Sequence, residues 1–169
     1  MADREITAVV VEVGAGPINV CELTEFLRLF RAIYIAGLAA TGGIVGNYPL
    51  PSIRNLADAQ TFADQIRGFL VNLSEQDVET FAALRIPEWA EDLRIMTISR
   101  NSPLRITFTG IAIALAAAVI LSGGTYKFGP MSAELPPLGT GIAALRQALN
   151  LEEQKDPHSR AHREPEKRK

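Results

Sequence analysis

Residues 106–126, ITFTGIAIALAAAVILSGGTY, form 21 consecutive uncharged positions between Arg105 and Lys127, and how they fold decides the architecture. Read as one helix over 106–124, the segment is about 28 Å long, close to the roughly 30 Å hydrocarbon core of a bilayer. Its strong apolar residues, Ile106, Phe108, Ile111, Ile113, Leu115, Val119, Ile120 and Leu121, favour insertion by about 3.5 kcal/mol at most, and the intervening Gly, Thr and Ser residues oppose it. If 106–109 instead complete a strand, the remaining helix near 110–122 is about 18 Å long, which suits a buried core. The flanks do not decide between the two. Arg94, Arg100 and Arg105 before the segment would hold the N-terminal body in the cytoplasm, whereas a single span would leave the basic C-terminal residues outside, against the same rule. Three arrangements remain open: a helix buried on a sheet, a membrane span, and a helix that dips into one leaflet.

Immediately upstream, LRIMTIS (93–99) and LRITFT (104–109) flank the turn Arg100, Asn101, Ser102, Pro103, the pattern of a β-hairpin. The β-branched run ITAVVVEV (6–13) reads as a central strand covered on most of both faces and is the natural partner of that hairpin. Between them lie three amphipathic helices. The first opens at Asn19 with Glu22 three residues on and carries Val20, Leu23, Phe26, Leu27, Phe30, Ile33, Tyr34 and Leu38 at helical spacing. The Gly42, Gly43, Gly46 run with Pro49 and Pro51 ends it near Ala40. Asn55 with Asp58 opens a second over about 56–73, and Ser74 with Asp77 opens a third. A short helix bearing Trp89 is expected after Pro87. Beyond the apolar segment come a short strand near 126–128, a proline loop, and a last helix capped by Thr140.

This order, β-α-α-α-β-β-α-α, predicts an α+β fold: a small, mostly antiparallel sheet, with strands near 6–13, 93–99 and 104–109, covered by amphipathic helices. Residues 1–152 are expected to form one domain that contains the apolar segment 106–124, the candidate for membrane association. The segment 153–169 is expected to be a disordered charged tail. Residues 1–150 hold 11 basic and 14 acidic residues, whereas 151–169 hold 6 and 5 and almost no apolar side chain.

With 169 residues, a net charge of −2 and 21% charged residues, the chain can bury a core and is not an electrostatic nucleic-acid binder. Cys21, the one cysteine, can form no internal disulfide, and the acidic start MADRE lacks the basic region of a signal peptide, so a cytoplasmic location is expected. Chemistry is limited by what the body lacks. Both histidines, His158 and His162, fall in the tail, which leaves the body without an imidazole for a triad or a metal. Gly14-Ala15-Gly16-Pro17 follows a strand but has no third glycine, and Pro17 removes an N–H that would face phosphate. Ser122 with Lys127, and the clusters Glu75, Asp77, Glu79 and Glu88, Glu91, Asp92, are read as turn and helix-capping residues.

No catalytic, cofactor or metal residues are therefore assigned. The expectation is a non-enzymatic interaction or assembly module, at the inner face of the cytoplasmic membrane if the apolar segment engages lipid. Ile111, Ile113, Leu115, Ala117, Val119, Ile120 and Leu121 are the candidate contacts to membrane lipid or a protein partner. No specific nucleic acid is expected, and homo-oligomers are compatible with the pattern. The alternatives are a soluble binding or accessory protein with that helix in its core, a sensor that releases it onto a membrane, and an enzyme that works with carboxylates alone.

Overall fold

The structure, a computed structural model, describes residues 6–14, 18–40, 56–84, 93–99, 103–127 and 132–151. In chain order the elements are β1 (Ile6–Val13), α1 (Val20–Ala40), α2 (Leu56–Leu70), α3 (Glu75–Ala83), β2 (Arg94–Ser99), β3 (Leu104–Ile111), α4 (Ala112–Leu121), β4 (Thr125–Lys127), β5 (Ser132–Leu135) and α5 (Leu138–Ala148). The fold is α+β. One five-stranded mixed sheet has the order β2-β3-β1-β5-β4. β1 pairs antiparallel with β3, from Ile6 opposite Ile111 to Val13 opposite Leu104, and parallel with β5. The parallel pair and β5 itself extend the three-stranded antiparallel core expected from sequence.

The apolar segment is divided among three elements, so 106–124 is not one helix. β3 continues to Ile111, and Ile111 is also the N-cap residue of α4, so strand passes into helix with no loop. At ten residues α4 is about 15 Å long, half a bilayer core. Among the described residues no helix is long and apolar enough to cross a membrane. The helix stops at Ser122 because Gly123 takes φ +78°, a left-handed conformation open to glycine without strain. The Gly124 N–H then reaches Val119 O at 2.9 Å and the Gly123 N–H reaches Ile120 O at 3.0 Å, the paired closure of a Schellman motif.

The sheet has one covered face. Val9, Val11 and Val13 of β1, Leu104, Ile106 and Phe108 of β3, Tyr126 of β4 and Leu135 of β5 are buried. The intervening Ala8, Val10 and Arg105 are exposed, and Glu12 is half-buried. β1 is thus central in the sheet yet open on one side, contrary to the two-sided burial expected of it. The alternation was hidden because Ala8 and Val10, on the open side, are themselves apolar. On that face the side chains satisfy one another: Arg105 Nε donates to Glu12 Oε1 at 2.7 Å and Thr97 Oγ1 to Thr107 Oγ1 at 2.8 Å.

Above the covered face, α1 and α4 form the inner layer of helices. Residues Ala32 to Leu38 of α1 and Ile113 to Val119 of α4 are all buried, so these stretches are enclosed on every side. A helix that is apolar all round needs such a site. α2 closes over them with Ala59, Phe62, Ala63, Ile66 and Leu70 buried. Phe30 stacks on Phe108 with ring centroids 5.1 Å apart, joining helix layer to sheet. Between α1 and α2, Phe30, Phe62 and Ile66 are buried and Leu27 is half-buried.

The caps follow the sequence in part. Asn19 Oδ1 accepts the Cys21 N–H at 2.9 Å, and Ser74 with Asp77 forms a complete capping box on α3. α5 begins at Leu138 after Pro137, two residues before the expected cap Thr140. The turn at 100–102, the helix expected around Trp89 and the tail 153–169 lie outside the described residues.

Candidate interaction surface

The fold places several of the groups with potential chemistry in structural roles, and others lie outside the described residues. Ser122 is buried and its Oγ donates to Val119 O at 2.7 Å, while Lys127 is exposed on β4 and paired with Glu134. The two do not form a dyad. Asp77 is held below its ordinary value by the Ser74 hydroxyl and then the Ser74 backbone N–H, as a capping carboxylate should be. Glu79 pairs with Arg28. Cys21 is exposed in the first turn of α1. His158, His162, Glu88, Glu91, Asp92 and residues 15–17 of the glycine loop lie outside the described residues, and within those no group of three or more His, Cys, Asp or Glu could hold a metal.

One polar network ties the helices together. Glu25 of α1 accepts from Arg28 Nε at 3.1 Å and from Arg146 Nη2 of α5 at 3.0 Å. Partial burial acts to raise the Glu25 carboxyl, but the hydrogen bonds from Arg28 and Arg146 outweigh it and hold it below its ordinary value. Glu25 in turn raises the Arg28 guanidinium. Arg31 donates to Ala82 O at 2.7 Å and Leu84 O at 2.6 Å, closing the C-terminal end of α3. These contacts position α3 and α5 on α1, which is a structural task.

The sequence-derived contact residues are not at the surface. Ile111 and Ile113 are buried, as are Leu115, Ala117, Val119 and Leu121, and only Ile120 is half-buried. They line the interior because α1 and α2 pack on α4 and the sheet lies beneath it. At the junction of β3 and α4, the Ile111 N–H donates to the buried Tyr34 hydroxyl at 2.9 Å. Gly110 permits this approach, since a Cβ there would stand 2.8 Å from that oxygen.

Exposed apolar surface collects elsewhere. Of the six large hydrophobic residues exposed among the described residues, three are on the edge strand β2: Ile95, Met96 and Ile98, at 42%, 62% and 51%. The pairing of β2 with β3 explains why. Ile95 lies opposite Phe108 and Ile98 opposite Ile106, with a bulge between Ile95 and Thr97. Phe108 and Ile106 face the helices, and directly opposed residues share a face. Ile95 and Ile98 therefore both point to the helix side of the sheet, where β2 extends past the helical cover. Three residues apart, they would face opposite sides without the bulge. The sequence reading assigned β2 correctly as a strand but missed it as a surface, because a bulge leaves no mark in the order of residue types. Comparison of the chain with protein-family models, with curated proteins and with solved structures finds no match.

Proposed function

We propose that the chain is a non-enzymatic interaction or assembly module of the cytoplasm, and that it engages its partner along the open edge of β2. The observation that carries this reading is the concentration of exposed Ile95, Met96 and Ile98 on one edge strand. Edge strands are commonly blunted by lysine, proline or a covering element. β2 has one charge, Arg94 at its first residue, and no proline. An extended segment with apolar residues at alternate positions is the partner such an edge accommodates: its backbone pairs with the free donors and acceptors, and its side chains rest beside Ile95 and Ile98.

The apolar segment supports this reading as the platform and not as the contact. Exposing Leu115 or Ala117 to lipid would require α4 to leave the core it shares with α1, α2 and the sheet, so the proposal routes no membrane contact through 106–124. Six of the nine described carboxylates, Glu12, Glu25, Asp64, Asp77, Glu79 and Glu134, are engaged by arginine, lysine or a helix cap, which lends support to the non-enzymatic side of the reading.

Selection from a random-peptide library tests it. The folded chain should enrich extended sequences with alternating apolar residues, and the Ile95→Lys/Ile98→Lys variant should bind them at least tenfold more weakly while melting like the parent. Equal enrichment by parent and variant, or none by either from a chain that is monomeric, would remove β2 as the recognition edge.

A further inference from the structure

We infer that the occupant of the β2 edge is the β2 edge of a second copy of this chain, antiparallel about a two-fold axis between Met96 and Thr97. The inference rests on the strand-edge reading above and names its partner. A two-fold interface must be self-complementary, so each residue must meet a partner that meets it in return. β2 has that property because of its bulge. Arg94, Thr97 and Ser99 lie opposite Thr109, Thr107 and Arg105 on the open face, whereas Ile95 and Ile98 lie opposite the inward Phe108 and Ile106. Read in either direction, the strand presents polar, apolar, centre, apolar, polar.

In the antiparallel register about that centre, Ile95 of each copy opposes Ile98 of the other. Arg94 of each opposes Ser99 of the other. Four isoleucines then form one strip on the helix side, with two short ladder segments on either side of the paired bulges. The charge distribution agrees with this register. The one charged residue of β2 faces a serine, and the two Arg94 side chains stand five positions apart, about 17 Å and beyond a Debye length. A parallel arrangement in register would place Arg94 beside Arg94. The area sets the strength. A six-residue strand is about 20 Å long, and a strip of that length one layer deep is on the order of 200 Å² per copy, far below the roughly 800 Å² per partner of a stable complex. The assembly is therefore weak and reversible, and it fills only at high concentration.

Disulfide trapping in a Cys21→Ser background reads the register directly. Opposed Cα atoms in an antiparallel pair are about 4.5–5.5 Å apart, within disulfide reach, whereas Ile95 to Ile95 or Ile98 to Ile98 is about 10 Å and outside it. A mixture of Ile95→Cys and Ile98→Cys chains should yield covalent dimers under mild oxidation, at least tenfold faster than either variant alone and than a Lys127→Cys control on the opposite edge. Sedimentation velocity of the parent should show a dimer growing with concentration, and Ile98→Lys should abolish it. Trapping of Ile95→Cys with itself would overturn the register. A chain monomeric at all concentrations overturns the second copy as partner: if it still enriches extended peptides through β2, the strand-edge reading survives, and if it enriches none, both fall.

Discussion

Removing the hydroxyl of Tyr34 should destabilise the protein far more than a one-atom deletion suggests. The side chain is fully buried, and its oxygen accepts the Ile111 N–H at the point where β3 becomes α4. That N–H belongs to the N-cap residue of α4, which has no side-chain cap of its own. Tyr34→Phe keeps the ring and leaves a buried donor without its acceptor, which costs about 1–3 kcal/mol. For a domain of this size each kcal/mol lowers Tm by about 2–4 °C, so a mid-range loss of about 2 kcal/mol lowers it by roughly 4–8 °C. Thermal and urea unfolding followed by circular dichroism measure the change. Thr97→Val, which removes a hydrogen bond on the exposed face of the sheet, should cost less than half as much. Gly110→Ala places a Cβ against the same hydroxyl, so its cost should shrink in the Tyr34→Phe background, and the two changes should not add. A Tyr34→Phe protein that melts with the parent would refute the junction described here.

Leu115 is fully buried on α4, so Leu115→Ala should cost about 2–5 kcal/mol in urea unfolding through lost transfer energy and the cavity left behind. Phe30→Ala, which removes the ring stacked on Phe108, should fall at the upper end of about 3–5 kcal/mol. Glu25 has a lowered folded-state pKa, so it contributes stability that is present above the ordinary carboxyl value and is lost as pH falls through the lowered one. Glu25→Gln should therefore unfold at lower urea than the parent at pH 7, and the gap should close as acidification carries the pH down through the lowered carboxyl value. A gap that widens in acid would contradict the ion pairs with Arg28 and Arg146.

Elements whose periodicity and punctuation agree could be read from sequence. The helical spacing of Phe26, Phe30, Ile33 and Leu38, the Ser74/Asp77 box and the alternation of Leu104, Ile106 and Phe108 each match one structure and exclude others. β5 could not be read, because SAEL offers only Ala133 and Leu135 to the core and sits among prolines; its pairing with β1 is a long-range event. The apolar segment was ambiguous for a physical reason: a helix enclosed by protein and a helix enclosed by lipid need the same side chains, and only the company of α1 and α2 distinguishes them. Tyr34 looked like one more apolar position on the face of α1, since nothing local announces that a residue 77 positions away supplies its donor. The bulge in β2 escaped for a similar reason, and with it the apolar edge.

α4 belongs to the core, and among the described residues exposed apolar surface concentrates on β2. The most direct measurement is the unfolding of Ala117→Arg, with the change at a fully buried residue of α4. An unpaired charge there has neither partner nor water and costs more than a domain of this size can lose. Ala117→Arg should give no cooperative melt and no soluble folded protein. A folded, cooperatively melting Ala117→Arg chain, altered only in its partition between membrane and soluble fractions, would contradict it and place α4 against lipid.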